Sequence, residues 1–195
     1  ENKLLNLYIS FQDGFGREQN VVSGYTRVIN ARLDDAAFYF EDDMKAEIED
    51  RLEELSEITY QRELGSYREK VERISIISEN IAQMLNFKEL DYLQHKGEKE
   101  DIYITAQDHY KPVSEYDEIS TNLISNVVSL ADKLDYLVGY FGINKIPTGS
   151  KDPFGLRRKT FGILRILITL EWDLNLNDLF NLTVQTYLEA NNQNI

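Results

Sequence analysis

The sequence predicts a mainly α-helical domain with a small strand-containing segment at its N-terminus, and three observations carry that prediction. Leu123, Val127, Leu130, Leu134, Leu137 and Phe141 alternate steps of four and three, the spacing of one buried helix face. A second helical run, from Gly65 to Leu85, opens on a serine placed to cap it. Strand-like composition is confined to KLLNLYISFQ at 3–12. The division suggested is a strand-containing segment at 1–40 and a helical domain at 41–195.

Taken in order, KLLNLYISFQ is apolar and rich in large side chains, and DGFGREQN at 13–20 ends it. Val28, Ala31 and Asp35 are spaced more like a helix than a strand, so a helix is expected from about Ser23. Glu41 to Glu57 holds nine acids and two bases, with Met44, Ile48, Leu52 and Leu55 as one apolar stripe. This reads as an acidic, solvated helix. In GSYREKVERISIISENIAQML, Ser66 is the N-cap and Val71, Ile74, Ile81 and Leu85 trace the buried face. LDYLQHKGEK at 90–99 reads as a polar turn at Gly97. The central core helix is expected over Ile119 to Phe141, ended by Gly142, and two more helices over Gly155 to Leu170 and Leu176 to Leu188.

Bulk properties narrow the function. The 34 acids against 21 bases leave a net charge of -13, which favours solubility and works against indiscriminate binding to phosphate backbones or anionic lipid. Nucleic-acid contact must therefore be local. With no cysteine, disulfides, thiolate metal sites and cysteine nucleophiles are excluded, and a reducing cytoplasm suits the composition. ENKLLNLYIS lacks the basic flank of a signal peptide, and FGILRILITL is short and interrupted by Arg165, so no membrane contact is expected.

Short motifs fail individually. GFGREQN lacks the third glycine of a dinucleotide fingerprint, and TGSKDP has the wrong order for a phosphate-binding loop. A histidine at His109 with Asp132 on a later helix resembles the metal-dependent His-Asp (HD) phosphohydrolases, in which imidazoles and carboxylates hold a water-activating ion. No His-Asp doublet occurs, so the ligand set stays incomplete. The competing reading makes Asp132 and Asp135 polar neighbours of a core helix and His109 a turn cap before Pro112.

Charge is segregated in one place. Lys145 to Arg165 carries six bases and one acid, a net of +5 against -18 for the rest. Lys151, Arg157, Arg158 and Lys159 cluster around a Pro-Phe-Gly turn at a helix start, where backbone amides would add to the positive potential. They are the candidate phosphate contacts. Composition leaves open whether Arg157 and Arg158 meet RNA or the chain's own carboxylates.

PTGSKDPFGLRR at 147–158, followed by GILRILI and WDLNL and preceded by LADKLDYLVGYFGI, resembles the beta subunit of the bacterial two-subunit glycyl-tRNA synthetase. VVSGYTRVINARLDDAAFYFEDD and RELGSYREKVERI extend the resemblance, in order, from about Val21 to Leu176. It implies an enzyme that couples glycine to tRNA-Gly with ATP and magnesium, its adenylation site on a separate alpha subunit. It implies for this chain an internal fragment without catalytic residues or a cofactor of its own, whose helical domain is similar to the HD fold. The role implied is tRNA acceptor-end binding and contact with the alpha subunit. The sequence departs from the family pattern in three ways. A family segment expected between Gln94 and His95 is absent, the stretch Gly155 to Gly162 carries an extra base and extra bulk, and the outer domains are missing.

Overall fold

A computed structural model describes residues 7–11, 18–45, 51–87, 99–114 and 116–193. The chain forms two compact units, divided between Arg51 and Leu52. In the first, Leu7–Phe11 is irregular rather than a strand, and the rest of KLLNLYISFQ lies outside the described residues. An isolated stretch has no partner for its backbone groups, so apolar composition alone does not make it a strand. The helix expected from Ser23 is present and longer, α1 over Glu18–Asp43. Tyr8 Oη donates to the Val22 carbonyl at 3.1 Å and lies 2.7 Å from Thr26 Oγ1.

The long acidic helix expected over Glu41 to Glu57 does not form. α1 ends at Asp43, residues 46–50 lie outside the described residues, and only one 3-10 turn follows, Glu53–Ser56. Arg51 instead turns back onto Asp42 and Asp43, at 3.3 and 3.7 Å. The strands lie here: β1, Thr59–Gln61, pairs antiparallel with β2, Gly65–Ser66, through a tight turn with Gly65 at φ 88°.

Helix α2, Tyr67–Met84, starts where the serine placed it. Ser66 Oγ accepts from the Glu69 amide at 3.2 Å and the Glu69 carboxylate accepts from the Ser66 amide at 2.7 Å, a reciprocal capping box. Its expected buried face holds at Ile81, with Ile74 and Leu85 partly buried against the core, and fails at Val71. Val71 is exposed, while Arg73, Ile77, Ile81 and Ala82 are buried. The polar run near Gly97 lies outside the described residues, but it gives way to an unforeseen helix, α3, Lys99–Asp108.

Helix α4, Leu123–Gly142, is the centre of the second unit and packs on α2, α3, α5 (Leu156–Thr169) and α6 (Leu176–Gln193). Leu130, Leu134 and Leu137 from α4 meet Ile77 and Ile81 from α2, Ile163 and Ile166 from α5 and Leu179 from α6 in one core. The helix starts at Leu123, capped by Asn122, later than the expected Ile119, and ends with Gly142 as its last residue. Asn144, at φ 59°, ends it: the Asn144 amide donates to the Phe141 carbonyl and the Lys145 amide to the Tyr140 carbonyl, both at 2.9 Å. Among the described residues no helix is long and apolar enough to cross a membrane.

Candidate functional site

The basic turn is built by backbone pairing and one carboxylate. Thr148 and Lys151 exchange backbone hydrogen bonds at 3.0 and 2.7 Å, with Gly149 at φ 48° between them. Gly155, also left-handed at φ 66°, stands at the α5 N-cap but has no side chain to cap with. Asp152 does it instead, its two oxygens accepting from the amides of Leu156 and Arg157, each at 2.9 Å. Those amide hydrogen bonds, the Arg157 amide foremost, hold its pKa below the usual carboxylate value. The α5 N-terminus is thus already occupied by an anion, contrary to the expectation that its amides would add to the positive field. Any attraction for phosphate at this turn comes from side chains.

Three of the four candidate cations, Lys151, Arg157 and Arg158, are exposed and make no side-chain hydrogen bond or ion pair among the described residues. Lys159 is half-buried. Its Nζ donates to Asp132 Oδ2 at 3.0 Å and sits 5.0 Å above the Tyr136 ring. Arg165, also counted in the basic stretch, is spent on the chain itself, donating to the carbonyls of Ser114 and Asp117 at 2.8 Å each.

Beneath the turn lies a charged ladder that sequence reasoning missed. Lys70 donates to Asp132 Oδ1, opposite Lys159. Burial would raise the Asp132 pKa, but Lys159 and Lys70 outweigh it and set it at about 2. One turn along, Arg73 Nε donates to the buried Asp135 at 2.7 Å, and its guanidinium lies 4.3 Å from the centre of the Tyr187 ring. Here burial prevails and Asp135 is pushed up despite Arg73. The signal was present: bases at 70 and 73 and acids at 132 and 135 share an i, i+3 spacing, so two helices side by side can match them rung by rung. Between the rungs, Lys133 is buried facing the other way. Its Nζ donates to the carbonyls of Tyr110 and Lys111 at 3.2 and 3.1 Å and to Ser129 Oγ. Burial pushes its ammonium down to about 8.

The metal-site reading finds no geometry to stand on. Asp132 is saturated by two ammonium groups, and His109 Nδ1 lies 3.0 Å from its own helix carbonyls, Thr105 and Ala106, as a cap at the end of α3. Among the described residues no group of three or more His, Cys, Asp or Glu side chains is placed to hold a metal ion.

Comparison with known proteins decides the lineage. A family model described as "Glycyl-tRNA synthetase beta subunit" matches residues 1–91 and 90–195. The chain belongs to the glycyl-tRNA synthetase beta-subunit family. Among its relatives, the glycine–tRNA ligase beta subunit of Thermotoga petrophila is 36% identical over 209 residues, covering 90% of this chain and 30% of the relative. That of Desulfitobacterium hafniense is 34% identical, covering 97% and 32%. That of Pseudoalteromonas translucida is 38% identical, covering 91% and 30%. The chain therefore spans about a third of the length of these beta subunits. Each alignment is longer than the chain's 195 residues, so the relatives have positions with no counterpart here. The family match breaks at residues 90–91, a few residues from where the sequence lacks the expected family segment.

Proposed function

We propose that this chain serves a two-subunit glycine–tRNA ligase in the cytoplasm by holding the acceptor end of tRNA-Gly on the basic turn. One observation carries the reading: among the described residues Lys151, Arg157 and Arg158 stand exposed with no side-chain hydrogen bond or ion pair, on a turn clamped by Asp152, in a chain whose net charge is -13. Abundant carboxylates would have been ready partners, yet among the described residues only Asp152 lies near enough to act on Arg157. Arginine forks suit phosphate oxygens, and a turn fixed before binding loses little freedom on contact. Lys159, tied to Asp132, supports the site from below rather than joining the first line of contacts.

In this reading adenylation, with its ATP and magnesium, belongs to the alpha subunit, and the chain contributes tRNA contact and subunit contact only. The helical unit is an HD-like domain without hydrolase chemistry. Supporting the absence of hydrolase chemistry, Asp132 lies on the central helix with Lys70 and Lys159 closing on it, so its carboxylate is already neutralised by two ammonium groups.

The test is a titration of labelled tRNA-Gly into the full-length protein at two salt concentrations, with a Lys151→Ala/Arg157→Ala/Arg158→Ala variant alongside. Each true phosphate contact removed should flatten the plot of log affinity against log salt by about one unit of slope. Unchanged affinity and slope in the variant would refute the reading and leave the turn to protein contacts.

A further inference from the structure

We propose that Phe154 is a stacking platform for an unpaired nucleobase, so that the basic turn receives the single-stranded 3′ end of a tRNA rather than the side of its duplex. The inference rests on the RNA-contact reading above and specifies what that site takes.

Phe154 stands at the tip of the turn, 38% exposed, and closes a ladder of three rings. Tyr136 and Tyr140 stack with centroids 4.3 Å apart and planes 19° from parallel, and Phe154 follows Tyr140 at 4.9 Å. The middle ring, Tyr140, is buried, so the ladder is anchored in the core at its centre, with Tyr136 half-buried at one end and Phe154 exposed at the other. The backbone that carries the ring is fixed too, because Tyr136 Oη donates to the Phe154 carbonyl at 2.9 Å. An apolar residue before a helix cap commonly packs on the fourth helical residue, but here that residue is Lys159, which turns away to Asp132. Phe154 is thus backed by Tyr140, their planes tilted by 46°, and remains partly open to solvent.

That arrangement fits an unpaired base. Bases inside a duplex are covered by their neighbours, whereas single-stranded ends offer whole faces that stack on aromatic side chains. Stacking is sequence-tolerant and independent of salt, and adjacent cations hold the backbone. Arg157 and Arg158 follow Phe154 within one helical turn, and Lys151 precedes it. Three free cations are few for an RNA surface in so acidic a chain. A non-ionic contribution beside them supplies affinity that charge alone does not.

The experiment compares wild type, Phe154→Leu and Arg157→Ala/Arg158→Ala in the full-length protein, against tRNA-Gly and the same tRNA lacking its unpaired 3′ nucleotides. Leucine keeps apolar bulk against Tyr140 but has no ring face. Phe154→Leu should weaken binding of intact tRNA by about 5- to 150-fold, the worth of one stacked base, with the salt slope unchanged. The shortened tRNA should show no such loss. A melting temperature equal to wild type excludes misfolding as the cause. Should Phe154→Leu melt early, Phe154→Trp supplies a second readout: its emission, after subtraction of the wild-type signal, should be quenched on binding intact tRNA and not the shortened one. If Phe154→Leu binds as wild type does while the arginine variant fails, or if it loses equally on both RNAs, stacking at Phe154 is overturned and the RNA-contact reading survives. If wild type shows no salt-sensitive binding at all, both are overturned.

Discussion

Asp132→Asn keeps the shape of the side chain and removes the charge that Lys70 and Lys159 share. In the fold this carboxyl titrates at about 2, against 3.8 unperturbed, because two ammonium groups outweigh the effect of its burial. That gap corresponds to about 2 kcal/mol of folding stability at neutral pH. The side chain is only 15% exposed, so water screens little of it. The sign follows from the direction: a carboxylate whose folded pKa is depressed stabilises above about pH 4, and the contribution is lost as pH falls through about 2. Thermal unfolding at pH 7 should show the variant melting about 5 to 10 °C below wild type, with the gap closing as the pH approaches 2. A gap that persists at pH 2 would show that Asp132 works by packing, and no gap at pH 7 would show that both lysines are satisfied by water. The variant also releases Lys159 from Asp132. On the RNA-contact reading it should therefore bind tRNA more tightly at low salt and with a steeper salt dependence than wild type.

Two further substitutions probe the same helix. Lys133 titrates at about 8 in the fold and 10.5 unperturbed, so the unfolded chain holds the extra proton between those values. Wild-type stability should therefore rise across pH 8 to 10.5, and Lys133→Met should abolish that rise, as read from urea midpoints over the window. Arg73→Met strands a buried Asp135 and should cost about 3–5 kcal/mol, whereas Arg73→Met with Asp135→Leu should recover most of it; a double variant as unstable as the single would refute the ion-pair account.

What could be read from the sequence was local. Ser66 with Glu69 three residues on has the spacing of a capping box, and α2 begins there because those groups satisfy each other without help from the rest of the chain. The four-three rhythm survives from Val127 to Leu137 as the core face of α4, with its ends Leu123 and Phe141 exposed, for the same reason: helix geometry alone places those residues together. Where the reading failed, the deciding partner was elsewhere. Leu7–Phe11 has strand composition but no strand beside it among the described residues, whereas Thr59–Gln61 finds Gly65–Ser66 across a turn. Val71 looked like a core residue and is exposed, while Arg73 is buried, because Asp135 on another helix accepts its charge.

The basic turn divides along the same line. Its signature, its segregated charge and its family kinship are all present in the one-dimensional order of PTGSKDPFGLRR and its neighbours, which is why the family was recognisable. Which bases remain free was not. Lys159 and Arg158 are adjacent in sequence, and only the packing of α5 on α4 turns one onto Asp132 and leaves the other in water. The sequence by itself determined the capped start of α2, the core rhythm of α4 and the lineage, since these depend on residue order along the chain. The tertiary structure alone decided the charge ladder, the turning of Lys159 onto Asp132 and the packing of Phe154 on Tyr140, since each depends on which side chains folding brings together.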